Sequence, residues 1–366
     1  MDTPTTAPAP TAKPAPAAPE RPGSLPHGEP PPAAPPPPLG AARPGRRRSW
    51  RAVRRVCGLL FFVVVPVALL SSLIIFALGH LSPVDPAAAR LGENATAADV
   101  ARLHELWGLD RPFAEQYLSW LGHALTGDLG SSYLTDIPVA DSIAQRLPVD
   151  LSVALVALVA AVLIGFPAGI AAGTRPGGAV DRVVTLLSSI AVTVPVFLLG
   201  IWLALLFAVH LKWLPATGYA TTATGLGNWL SHVLLPGISL SLVVAAALAR
   251  QLRTSLAAAL AEKFVVGATL RGLTGRRILF AHVLRTAVGP ALSLIGLEVP
   301  ELLGGAVVVE AVFGLPGLGQ YALGGAASHD TAVVQGVLLV TVGVVLLANL
   351  LVDALLGWLR PETRKR

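Results

Sequence analysis

Charge is what this chain lacks most. Only 13% of its 366 residues are Asp, Glu, Lys or Arg, about half the roughly 25% carried by soluble domains. Apolar residues fill the gap, at 54% of the chain, and the mean hydropathy is +0.68. So few charged groups exclude a soluble domain as the bulk of the molecule. Cysteine is nearly missing too. Cys57 is the only one, so no internal disulfide can form. The histidines, among them His80, His104, His123, His210, His232, His282 and His329, are scattered without ligand spacing, so no metal is expected on this chain. There is no Gly-x-x-x-x-Gly-Lys-Ser/Thr loop to cradle phosphates. Gly272-Leu273-Thr274-Gly275-Arg276-Arg277 has glycines without that spacing or the lysine and reads as a helix break. Serines near span centres, such as Ser188 and Ser189, have no positioned histidine, so no catalytic residue is assigned.

Residues 1–45 lack anything able to pack. They are rich in Pro and Ala, with the run Pro35-Pro36-Pro37-Pro38, and cannot bury enough apolar surface to offset ordering entropy. They read as a disordered tail, too poor in apolar residues to be a signal peptide. The net charge of +6 and the pI near 10 raise the question of nucleic acid. The basic residues, however, cluster beside hydrophobic runs, where they set topology and meet lipid head groups, so no nucleic acid is expected.

What is abundant is apolar sequence in runs long enough to cross a hydrocarbon core of about 30 Å as helices. The first run, 56–78, follows Arg46, Arg47, Arg48, Arg51, Arg54 and Arg55. Further runs fall at roughly 149–173, 180–210, 231–255, 286–311 and 333–358. Segments 46–55, 174–182, 250–285 and 359–366 are basic, whereas 211–230 holds only Lys212 and 314–332 holds no Lys or Arg. Six spans with both termini in the cytoplasm satisfy each of these biases. The fold expected is all-α and polytopic: a tail 1–45, a basic segment and first span 46–79, an external lobe 80–148, a five-helix core 149–358 and a basic C-terminus 359–366. The lobe carries nine acidic and four basic residues. In it Thr96 is placed to cap a helix with the stripe Val100, Leu103, Leu106 and Trp107, and a second helix after Pro112 presents Phe113, Tyr117, Trp120 and Leu121. Gly165, Gly169 and Gly173 repeat at four-residue spacing, as at close helix contacts. Pro195 and Pro236 mark kinks or helix ends.

The segment 257–285 is not a span. The spacing predicts a helix from Ala257 ended by Gly272, then a short helix from Arg276 to Leu284 leading into the fifth span. A helix–glycine–helix joined rigidly to two spans is a knob suited to receiving force from a soluble partner; an ordinary interfacial helix pair is the alternative. Acidic groups within spans face a cavity or a partner by default. Glu298 and Glu301 lie three residues apart on one face of the fifth span, with Glu310 further along. Lining a path for a cationic group and packing as a protonated or partnered pair both fit them.

From Glu262 to Pro290 the order of pieces resembles the cytoplasmic coupling loop of ABC importer permeases. Ala268 and Gly272 match in register their Glu-Ala-Ala, three residues, then Gly pattern, although Gly267 stands at the acidic position and Thr269 at the second alanine. Leu91-Gly92-Glu93-Asn94-Ala95-Thr96, Gly108-Leu109-Asp110-Arg111-Pro112, Gly127-Asp128-Leu129-Gly130, Leu214-Pro215-Ala216-Thr217-Gly218 and Gly304-Gly305-Ala306-Val307-Val308-Val309-Glu310 resemble the dipeptide, oligopeptide and nickel branch of that family. So does Val312-Phe313-Gly314-Leu315-Pro316-Gly317-Leu318-Gly319. The likeness covers roughly 50–362 and includes Glu310, Asn349 and Asp353. It implies a permease subunit in a bacterial inner membrane, partnered by a second homologous permease subunit, two ATP-binding subunits that hold ATP and Mg, and an extracytoplasmic binding protein. The chain itself would bind no cofactor and hydrolyse no ATP. Phe264, Leu270 and Leu273 would make the apolar contact with the ATPase around Ala268 and Gly272, with Arg271, Arg276 and Arg277 as a charged rim. Di- or oligopeptides are the implied cargo, with nickel or another small solute as the alternative. An ion-gradient-driven transporter or an intramembrane enzyme would need an internal repeat or a nucleophile with its base, and neither is evident.

Overall fold

The computed structural model describes residues 65–81, 85–92 and 95–359, with side chains through residue 352. The tail, the basic cluster before the first span, the first part of that span, Glu93, Asn94, the Asp353 side chain and the basic C-terminus lie outside the described residues. Among the described residues the regular secondary structure is helical, with connecting turns and loops and one isolated bridge between Ser131 and Pro138. Among those residues four helices are long and apolar enough to cross a membrane, and a fifth span results if one sharply bent pair is counted as one. Against the expected six spans the described residues show four or five, with the apolar helix α1 (Val65–His80) shorter than a span over its described length.

The helices in order are α1, α2 (Pro86–Leu91), α3 (Ala97–Trp107), α4 (Phe113–Leu125), α5 (Val139–Gly173), α6 (Ala179–Thr193) and α7 (Val196–Leu203), the last continuing as a π-helix Ala204–His210. Then come α8 (Leu226–Leu260), α9 (Lys263–Leu270), α10 (Gly275–Ile278), a π-helical turn Leu279–Val283, α11 (Leu284–Phe313), α12 (Leu318–Ala327) and α13 (Thr331–Leu359).

Two boundaries differ from the sequence reading. Helix α5 begins at Val139, ten residues before the expected start, and carries Pro148 in its interior. Pro236 likewise sits inside α8 without ending it. Neighbouring helices can compensate the one backbone bond each proline removes. Pro195 does the opposite. The expected single span at 180–210 is broken there, with α6 and α7 bent by 103°. The proline ring pushes Val194 into extended backbone, φ −81° and ψ 125°, and Pro195 then starts α7.

The core forms around α5 and α8, the most extensive helix pairing in the chain. The glycine repeat makes it possible. A Cβ on Gly165, Gly169 or Gly173 would stand 2.7, 2.9 or 3.0 Å from the carbonyl oxygen of Ala245, Ala249 or Arg253, so any side chain there would push the backbones apart. Around this contact Val149, Val153, Leu240, Val244 and Leu248 pack against Leu302, Val309 and Phe313 of α11. Nearer the α8 C-terminus, Leu252 and Leu256 pack against Ile278, Val283 and Ala287. The pairing of early α8 with late α11, and late α8 with early α11, makes the two antiparallel.

Helices α3 and α4 belong to the polar segment before α5. Thr96 and Asp99 form a reciprocal capping box on α3. Val100, Leu103 and Trp107 are half-buried, but Leu106 is exposed because it sits off their common face. Phe113, Tyr117 and Trp120 of α4 surround Phe76 of α1, with ring centroids 5.4, 5.5 and 5.7 Å away. Asp330, buried before α13, accepts the Ser132 hydroxyl at 2.5 Å and ties this segment to the last long helix.

Candidate functional site

Three places concentrate chemistry. The first is the short helix α9. The expected continuous helix from Ala257 is two helices: α8 stops at Leu260, and Glu262 in extended backbone starts α9. Gly272 ends it at φ +77°. The Gly272 N–H donates to the Thr269 carbonyl at 2.9 Å and the Leu273 N–H to the Ala268 carbonyl at 3.2 Å, a double closure that needs a left-handed residue at Gly272. Ala268 is buried against the α8–α11 base. At about 100° per residue this leaves the opposite face outward. There Val266 and Leu270 are 60% and 84% exposed.

Of the three apolar contacts expected from sequence, Leu270 points outward and Phe264 is part-exposed on the Ala268 side. Leu273 is turned onto the core. Val266 was missed, though its four-residue spacing from Leu270 marks it as sharing that face. Arg271, Arg276 and Arg277 are exposed around the turn. The base of the knob is braced. Arg253 of α8 grips both carboxylate oxygens of Asp181, Nη2 to Oδ2 at 2.8 Å, and that carboxylate also accepts the Gly177 N–H at 2.7 Å.

The second place holds the acids of α11, which the structure separates. Glu298 is buried at 9% exposure, Glu301 is exposed, and Glu310 is buried at 2%. Glu298 lies in the electrostatic reach of Glu301 and of Arg250 on α8.

Glu310 instead belongs to a third place, with Asp150, an acid inside the second expected span that the sequence reading passed over. The rule that singled out the glutamates would have found it. Asp150 Oδ2 accepts the Leu318 N–H at 2.9 Å and Glu310 Oε2 accepts the Gln320 N–H at 2.8 Å. These are first-turn amides of α12, which have no partner within the helix. Asp150 Oδ1 and Glu310 Oε1 are buried without a partner. A Cβ at Gly317 would overlap both carboxyl groups. Gly314, at φ +58°, turns the chain out of α11, and the Gly218 N–H donates to the Phe313 carbonyl at 2.9 Å. Two of the resembling motifs, 214–218 and 312–319, are therefore neighbours in space.

Comparison with known proteins gives a consistent result. Residues 165–365 match the family described as binding-protein-dependent transport system inner membrane component. Residues 51–154 match the N-terminal part of such membrane components. A probable peptide ABC transporter permease protein, y4tP, of Sinorhizobium fredii is 35% identical over 300 residues, 82% of this chain and 96% of the relative. The dipeptide transport system permease protein DppB of Escherichia coli K12 is 31% identical over 328 residues, covering 83% and 97%. The glutathione transport system permease protein GsiC of Salmonella choleraesuis is 33% identical over 312 residues, covering 85% and 98%. With its long apolar helices and both family matches, the chain belongs to the binding-protein-dependent transport system inner membrane components and is a permease subunit of an ABC importer.

Proposed function

We propose that the chain carries di- or oligopeptides inward by alternating access, driven by ATP hydrolysed on separate subunits. The observation that carries the coupling half of this reading is α9: a short helix seated by Ala268 at the base of α8 and α11, with Val266 and Leu270 turned away from the chain's own core. Exposed apolar side chains on a rigid protrusion fit a groove on a soluble partner, and closure of paired ATPases would move α8 and α11 together. The relatives' names, which speak of peptide, dipeptide and glutathione transport, support the cargo. Glu298 and Glu301 are proposed to line the path. Glu310 is better matched to holding α12.

The full assembly in this reading has a second homologous permease subunit, two ATP-binding subunits with ATP and Mg, and an extracytoplasmic binding protein. Six spans would place both termini in the cytoplasm, counting α1 with the run before it and the bent α6–α7 pair as one span each. The segment 80–148 would then face outside. The test is uptake of a labelled dipeptide by vesicles holding this chain with its partner subunits and loaded binding protein. Uptake should require ATP and be lost in Leu270→Asp while the membrane subunits still assemble. Uptake by this chain alone, following a proton gradient, would overturn the reading.

A further inference from the structure

Arg250 stands apart from the other basic residues near the knob. Its neighbour Arg253 is committed to Asp181 through two hydrogen bonds. Arg250, half-buried on α8, makes one long hydrogen bond, from Nη1 to the Ser188 carbonyl at 3.3 Å. It belongs to no ion pair among the described residues. A charged group in a membrane-length helix is costly unless it faces a cavity or a partner of opposite sign.

The packing register shows what lies level with it on α11. Leu240 of α8 reaches the Cβ position of Gly305 on α11 at 3.4 Å. Because the helices are antiparallel with equal rise, ten residues onward along α8 is level with about residue 295 of α11. That places Arg250 within about a turn of Glu298, whose charged neighbours are Arg250 and Glu301. Neither glutamate is in an ion pair among the described residues. One cation of α8 thus lies near the level of two acids of the neighbouring α11, one buried and one exposed, and none of the three is neutralised by contact with another.

We propose that Arg250, Glu298 and Glu301 form a two-signed station in the translocation path that takes a zwitterionic peptide by both ends, Arg250 holding the carboxylate and the glutamates the ammonium. This rests on the peptide-importer reading above. The charged ends of a dipeptide lie about 5–6 Å apart by backbone geometry, a gap that long arginine and glutamate side chains on adjacent helices can bracket. Arginine suits the task because its planar fork meets a carboxylate with two parallel hydrogen bonds.

The test uses the complete reconstituted importer with saturating binding protein, loaded with either a free-acid dipeptide or the same dipeptide amidated at its C-terminus. Arg250→Gln should lower the maximal uptake rate of the free acid about tenfold or more, the scale of one lost charge-assisted hydrogen bond. The amide should change by no more than about twofold. Arg250→Lys should recover part of the free-acid rate, and Glu298→Gln should spare discrimination between acid and amide. Equal loss for both cargoes in an assembled Arg250→Gln complex means Arg250 only braces α8 against α6, and overturns the proposal alone. An unchanged rate for both overturns it as well. A wild-type complex that hydrolyses ATP but imports neither dipeptide overturns the peptide reading and this proposal with it.

Discussion

Helices α9 and α12 are both short, and they flank opposite ends of α11, yet they are held in opposite ways. Helix α12 is tied by its own chain: two buried carboxyl groups, from α5 and α11, accept its first-turn amides across a glycine with no room for a side chain. Helix α9 has no side-chain cap and rests on the core through buried Ala268 and part-buried Val265, with its far face bare. An end built to stay in place uses buried polar ties, which are costly to leave unmade. An end built to be met by another protein leaves apolar surface outside.

This contrast can be broken from the tied side first. Gly317→Ala would drive a methyl group into both carboxyl groups, and we expect a loss of about 3 kcal/mol, the upper range for overpacking. A thermal unfolding midpoint in lipid nanodiscs would show it, and an unchanged midpoint would mean α12 is not seated as described. Glu310→Ala removes the acceptor for Gln320 and should cost about 2 kcal/mol, by the same measurement. At the other end, Gly272→Ala forces a side chain into left-handed backbone and should cost only about 1 kcal/mol. Leu270→Asp should move the midpoint by less than about 0.5 kcal/mol while abolishing coupled uptake. A large stability loss there would mean the face is covered by the chain itself.

A third short helix, α2, sharpens the comparison with the smallest effect. Its cap, Asp85, accepts the Ala87 N–H at 2.9 Å and pairs with His104. Partial burial pushes this carboxyl up, but the His104 and Ala87 hydrogen bonds outweigh it and hold it below its usual value. A carboxyl lowered by folding stabilises above its unfolded value, and that contribution fades as pH falls through the folded one. Hydrogen exchange in α2 should therefore rise below about pH 4, and Asp85→Asn should flatten that rise. Equal acid sensitivity in the variant would assign the cap to another group.

Much of this was legible in the residues. The capping box at Thr96 and Asp99 follows a local rule, and the glycine repeat of α5 anticipated a close contact because only a residue without Cβ fits one. Gly272 as a helix stop could be read because a left-handed turn needs it. The break between α8 and α9 could not be read, since Ala257 to Ala261 is good helix sequence and nothing local forbids its continuing. Pro195 and Pro148 look alike in sequence. One bends the chain by 103° and the other is absorbed, a difference that depends on neighbours rather than on the ring.

By itself the sequence determined the solvent of this protein, the rough position of its long helices and its family, because hydropathy, run length and motif order are properties of the chain. Only the tertiary structure decided which charged groups meet. Asp150 and Glu310 are separated by 160 positions in sequence and Arg250 and Glu298 by 48, and each set is drawn close by α11 packing antiparallel to α5 and α8, which run parallel to each other. Helix periodicity gives each side chain a face, but which face finds which neighbour is fixed by the interlock of whole helices, a non-local outcome that no short window of sequence contains.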